Sequence, residues 1–236
     1  MQIRSLFYTA IYFSPHLKQM TFTCPPASSL TALPAADACP TKFDQILRSA
    51  FQRAQSAPPF DATAGKKITE KAAWLALMGV STAAKIVVSP IFANLVIPGS
   101  EAKENGGNDN STPFGIPQYG GENPVKVEYV FTNLSPAQIV GIRKFSQESI
   151  PLLGSFALTN YFFTKNGDIV ANKPKGYGVD EYAGLPIYNH RLGSISSEGL
   201  NADNKNAAGF YLPAYWDETV EVITADKLDF NPLFDL

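Results

Sequence analysis

Histidine and cysteine, which so often announce catalysis or a metal site, are nearly absent: the chain of 236 residues has two of each. Cys24 and Cys39 do not by themselves make a closed zinc site. One disulfide in an oxidising compartment is open to them, but two small apolar residues near a chain end is the simpler reading. Charge is also sparse. Asp, Glu, Lys and Arg make up 17% of the chain, against roughly 25% in ordinary soluble domains. The net charge is -2, and the basic residues are scattered, densest at Lys66-Lys67 followed by Lys71. Nucleic-acid binding normally shows a basic stripe, so any DNA is expected only as non-specific passing cargo. No apolar run reaches the length of a membrane span, and no membrane partner is expected.

Sequence motifs of chemistry are missing too. There is no G-x-S-x-G, H-E-x-x-H, Walker A loop or dinucleotide fingerprint. Gly176-Tyr177-Gly178 lacks a third glycine and the strand-to-helix setting. His16 lies in a doubtful leader. His190, in Tyr188-Asn189-His190-Arg191, reads as a surface or interface residue of a strand and not as a base. The oxygen-rich runs 105–110 and 201–206 could suit calcium, but neither has EF-hand spacing, and turn formation explains them better. The acid pairs Asp217-Glu218 and Asp180-Glu181 read as exposed turn acids; glycoside hydrolysis would need two carboxylates facing across a cleft. No catalytic, cofactor-binding or metal residue is assigned, no cofactor is expected, and the chain is expected not to be an enzyme.

What the sequence does have is aromatic residues, with 16 Phe and 10 Tyr, and 45% hydrophobic content. A weakly charged, aromatic surface is easily covered by another protein, because little charge must be desolvated. Aromatic strand formers in a β-rich core account for the same composition equally well.

Residues 1–19 carry one Arg and an apolar run from Ser5 to Phe13, without an A-x-A cleavage site. They read as an extension upstream of a start at Met20, with a cleaved leader as the alternative. Residues 20–40 read as an extended arm rich in Pro, Ala and Ser. A single structural domain is expected over 41–236. Apolar residues from Phe43 to Ala54 recur at helical spacing and predict a helix. A second, largely buried helix is expected from Ile68 or Thr69 to Met78, with Gly79 as C-cap and Trp74 as its largest anchor. Strands are expected at 85–89 and 91–97, with a bend at Pro90.

Segment 98–124 is too long and too rich in Gly, Pro and Asn for an ordinary connection, and its flanking strands allow a protruding hairpin. Residues 125–132 alternate as a half-buried strand. Ser135, Pro136 and Gln138 form the start signal of a third helix, running to about Ser149. Strands follow at 156–164 and 168–172 around an Asn166-Gly167 two-residue turn. Three more are expected at 185–196, 208–215 and 219–224. The tail 226–236, with Phe230 and Phe234, reads as a docking segment. The pattern is α+β: a β-sandwich or small barrel with flanking helices and a long protruding loop.

The order of these features resembles the virion structural proteins of tailed bacteriophages, those of Bacteroidetes phages and prophages in particular. The likeness is carried by the 43–55 helix, by Gly106-Gly107-Asn108-Asp109-Asn110-Ser111 with Phe114-Gly115-Ile116-Pro117, and by 199–216. It covers roughly residues 20–230. The resemblance implies a tail tube (major tail protein-like) subunit, a β-sandwich whose copies form rings, with a hexamer as the tube case. Rings would stack through the long loop and the extended ends, alongside other virion proteins, with assembly in the host cytoplasm. Two helices ahead of the sheet exceed the usual tube fold, which leaves a capsid-associated or tail-completion role open. The assembly interface is expected at Trp74, Asn108, Asp109, Asn110, Phe114, Tyr119, Phe230 and Phe234. The competing reading is a secreted or surface ligand-binding module for glycans, using aromatic residues such as Trp216 and Tyr177.

Overall fold

The computed structural model describes residues 45–55, 57–106, 116–150, 158–197, 199 and 202–236. In chain order these build β1 (Ile46–Arg53), β2 (Phe60–Asp61), α1 (Lys71–Gly79), β3 (Ile86–Val88) and β4 (Ala93–Val96). Then come β5 (Ala102–Asn105), β6 (Gln118–Glu122), β7 (Val125–Thr132), α2 (Pro136–Glu148), β8 (Leu158–Thr164) and β9 (Ile169–Asn172). The remainder is β10 (Glu181–Tyr182), β11 (Leu185–Ser196), β12 (Lys205–Leu212) and β13 (Val220–Ile223).

β1 overturns the first expected helix. Its residues Ile46 to Arg53 pair antiparallel with β8, and Gln52, Phe51 and Ala50 also pair with β3. Ser49, Ala50, Phe51 and Gln52 are all buried, because both faces of this strand are covered. A strand covered on both faces loses the alternation that marks a half-exposed one, and its apolar run then imitates helical period.

Nine strands among the described residues join in the order β13-β9-β8-β11-β12-β7-β4, with β1 beside β8 and β3 beside β1. The order returns on itself. β3 pairs with β1, β4 pairs with β7, and the two are joined by a short bend at Pro90. Across that bend Ser89 N–H donates to the Ser49 carbonyl at 2.8 Å, and Phe92 N–H donates to Leu47 at 2.9 Å. A second corner lies in β11. Its first residues pair with β8 and the rest with β12, and the register slips between Tyr188 and Arg191, where Asn189 sits at φ 53. Such a bulge re-aims a strand from one sheet to the next. The fold is therefore α+β, a β-sandwich curling into a small barrel with flanking helices.

The barrel interior takes one side of every long strand. Val125, Val127, Tyr129 and Phe131 of β7 lie beside Ala208, Phe210 and Leu212 of β12, and Phe51, Leu158, Phe162 and Ile187 belong to the same cluster. Ile142 of α2 joins this core. The helix starts as expected: Gln138 N–H donates to Ser135 Oγ at 3.3 Å, and Ser135 N–H donates to Gln138 Oε1 at 2.9 Å. The second core lies on the outer face of β1, β8 and β9, where Ala50, Tyr161, Phe163 and Ile169 meet Trp74 and Leu77 of α1.

α1 is shorter than expected and only one stripe of it is buried: Ala73, Trp74 and Leu77. It ends at Val80, in extended conformation, and Gly79 lies within the helix. The Asn166-Gly167 turn is also longer by one residue. Gly167 N–H donates to Thr164 O at 2.9 Å, Thr164 N–H donates to Asp168 O at 3.0 Å, and only Gly167 has positive φ. This is the three-residue hairpin that ends in a left-handed glycine. The remaining expected strands appear with shifted ends; the last long one starts at Lys205 and stops at Leu212, so Tyr215 falls outside it.

No helix among the described residues is long and apolar enough to cross a membrane.

Candidate interaction surface

Within segment 98–124, β5 and β6 form a ribbon of their own. Among the described residues β5 and β6 pair only with each other, with Ala102 opposite Glu122 and Asn105 opposite Gln118. All four residues of β5 are exposed. The ribbon is held at its base. Asn123 N–H donates to Glu101 O at 2.9 Å, and the Ser100 hydroxyl donates to Glu122 at 2.5 Å. Gly120 lies close under the facing strand: a Cβ there would sit 3.2 Å from the Lys103 carbonyl and would push the Asn105 amide aside.

Tyr119 leans off the ribbon, and its hydroxyl lies 3.0 Å from that of Tyr215. Tyr215 has φ 58, a left-handed conformation for a bulky residue, just ahead of a short 3-10 turn, Trp216–Thr219. The hydrogen bond to Tyr215, with some desolvation, pushes the Tyr119 phenol up to about 12. Yet Tyr119 remains 64% exposed, and Ile116 at the far end of the ribbon is 61% exposed. Beneath the ribbon a cleft of about 420 Å³ is lined by Ile46, Leu95, Ile97, Trp216 and Asp217, among others.

The expected interface residues separate. Trp74 is fully buried within its own chain: its ring lies 4.6 Å from Phe60 and 5.2 Å from Tyr161, and its Nε1–H donates to the Ile68 carbonyl at 2.8 Å. It is a core residue and not an interface anchor, because nothing of it is left for a partner to touch. Phe230 joins the same core, 6.3 Å from Trp74. Phe234, by contrast, is 77% exposed, and Tyr119 stays on the surface. Asn108, Asp109, Asn110 and Phe114 lie outside the described residues.

The tail thus docks on its own domain and leaves one aromatic outward. Arg48 donates to the Leu233 carbonyl at 2.7 Å. Asp229 accepts the first helical N–H of α1, that of Lys71, at 2.8 Å. Glu70, at the N-cap itself, makes no side-chain cap, so a residue from the far end of the sequence does the capping.

His190 is a correction of a different kind. It is buried in the barrel, its Nε2 2.8 Å from the Tyr129 hydroxyl and its ring 5.3 Å from Phe51. Of the oxygen-rich turns, the one after residue 201 is tied down by Asn133, whose amide donates to Asp203 at 2.8 Å. Glu181 accepts from Gly178 N–H at 2.8 Å within its own loop. Asp217 and Glu218 are exposed, Asp217 at the rim of the cleft beneath the ribbon. Among the described residues no three His, Cys, Asp or Glu side chains converge as metal ligands.

A smaller cleft of about 220 Å³ lies where the 173–184 loop folds back on the end of β1, lined by Gln55, Asn172, Tyr177 and three prolines among others. Gly184 makes the close approach possible, since a Cβ there would sit 2.8 Å from Thr159. Only the tyrosine of this set stood out in the sequence; the prolines are spread from Pro59 to Pro186 and meet only in three dimensions. No family model, no curated protein and no solved structure matches this chain.

Proposed function

We propose that this chain is a self-assembling structural subunit of a tailed-phage virion, and within that class a tail tube subunit whose rings stack. The observation that carries the reading is the β5–β6 ribbon. A two-stranded hairpin alone is marginal in water, and unpaired strand edges template pairing with another chain. This ribbon has an exposed β5 and exposed Ile116 and Tyr119, and among the described residues no third strand pairs with it. A neighbouring copy supplies the missing surface. Phe234 offers a second exposed aromatic contact. The mildly acidic chain also suits a lumen that lets DNA pass without holding it.

The secondary structure bears on this reading in both directions. One of the two helices expected ahead of the sheet is a strand, which removes the excess of helices over the usual tube fold. The same change removes one of the features on which the resemblance rested. A capsid-associated or tail-completion protein would use the same ribbon without forming stacked rings. The proposed partners are further copies and other virion proteins, and the proposed location is the virion.

Electron microscopy of the concentrated full chain, with light scattering alongside, tests the proposal. Rings or stacked tubes are expected, with a folded monomer when residues 102–121 are deleted. Stacking that survives the deletion rules out the ribbon, and a chain that stays monomeric at every concentration counts against the tube reading.

A further inference from the structure

The two ends of β7 carry charge of opposite sign. At its start stand the β5–β6 ribbon and the turn 215–219, which Tyr119 reaches through Tyr215. Their described residues hold five acids, Glu101, Glu104, Glu122, Asp217 and Glu218, against one base, Lys103. None of the five forms an ion pair among the described residues. Glu104 lies opposite Tyr119 across the ribbon. Cross-strand partners share a face, so an acid stands beside the exposed ring.

At the far end of β7 stands α2: Thr132 closes the strand and Pro136 opens the helix. Ile139 and Ile142 are its buried side. Val140, Arg143, Lys144 and Gln147 are all exposed. Their spacing of 3, 4 and 7 puts them on one outer face. Val140 is 57% exposed, an apolar side chain beside two cations. Neither Arg143 nor Lys144 forms an ion pair among the described residues. The helix has one acid, Glu148, and Asp203 in the neighbouring turn is held by Asn133.

We infer that the outer face of α2 is the surface on which the ribbon of a second copy docks. The inference rests on the assembly reading and names the receiving surface. The acids of the ribbon end complement Arg143 and Lys144, and Tyr119 and Ile116 supply apolar area for Val140. Within one chain the eight residues of β7 hold ribbon and helix apart by about 25 Å, at roughly 3.3 Å per residue. One copy thus offers the ribbon at one end and the helix at the other. Two unlike patches meet in such a contact, so it is heterologous and repeats from copy to copy into a ring or a stack.

Charge reversal in the full chain tests it by light scattering and sedimentation. One variant carries Arg143→Glu with Lys144→Glu, the other Glu101→Lys with Glu104→Lys. Each alone sets like charges against each other and is expected to raise the concentration needed for association about tenfold or more. An equal mixture restores opposite charges at every contact and is expected to associate as the unaltered chain does. Acylation of the unaltered chain, read by mass spectrometry, is an independent measurement: Lys144 is expected to label more slowly when associated than when dilute, and Lys66 equally in both. Reversals without effect, a mixture that stays dissociated, or Lys144 labelling that association leaves unchanged each overturn the inference. If deletion of residues 102–121 still abolishes association in that case, the ribbon reading stands without α2. An unaltered chain that stays monomeric at every concentration overturns both.

Discussion

The Tyr129 hydroxyl and Nε2 of His190 lie 2.8 Å apart inside the barrel, with Phe51 and Phe210 packed around the imidazole. Ser149 Oγ accepts the His190 backbone N–H at 2.7 Å, so the end of α2 and β11 are tied at the same point. Burial lowers the His190 pKa from 6.5 to about 4 and pushes the Tyr129 phenol up.

His190 is neutral when folded and takes up a proton more readily when unfolded. Its contribution is complete above pH 6.5 and is lost as pH falls toward about 4, below which the folded state protonates too. The loss across that window is on the order of 3 kcal/mol. Urea unfolding at a series of pH values is expected to show this slope, and His190→Phe to flatten it. An unchanged slope in the variant would assign the titration elsewhere.

Asp229 caps α1 from the far end of the chain. Asp229→Ala is expected to cost about 1 kcal/mol, as lost helix caps do. The effect should appear as a lower denaturation midpoint at unchanged slope. Glu70→Ala, at the position that makes no side-chain cap, is expected to change stability by less than about 0.5 kcal/mol.

Trp74 and Phe234 separate folding from contact. Trp74→Ala opens the second core and is expected to cost about 3–5 kcal/mol. Phe234→Ala removes an exposed ring and is expected to leave monomer stability within about 0.5 kcal/mol. If Phe234 is an assembly contact, the same variant raises the concentration needed for association in light scattering.

The Tyr119–Tyr215 contact pins the ribbon. With the Tyr119 phenol pushed up to about 12, its neutral form is the one held, and the contact weakens as pH rises above the ordinary phenol value near 10. Tyrosine-labelled NMR is expected to show the exposed Tyr119 ring titrating late, alongside the rings that burial raises, such as Tyr129. Tyr215→Phe should return the Tyr119 ring toward 10 and speed hydrogen exchange in β5 and β6, while β7 stays protected.

The β7 alternation and the Ser135–Gln138 start of α2 were legible in the sequence because each depends on neighbours a few residues away, and the ribbon was legible from the Gly, Pro and Asn content of one continuous segment. A half-exposed strand shows its two faces as period two, and a capping box is closed within four residues. β1 was not legible for the opposite reason. Its conformation is set by ladders to residues 158–164 and 86–88, and with both faces buried its side chains carry no face-to-face contrast.

The same division holds for the surface. Composition and motifs determined that the chain is weakly charged, rich in aromatics and without the catalytic motifs named above. They could not sort one aromatic from another. Trp74 and Phe230 went into a core and Tyr119 and Phe234 stayed outside, because burial depends on which elements arrive opposite a side chain. Only tertiary structure brings Pro59, Pro174, Pro186 and Tyr177 to one cleft, and only it leaves the buried Asn172 oxygen without a donor among the described residues. Hydrogen-bond satisfaction is a property of contacts between distant segments, and no local pattern in the chain encodes it.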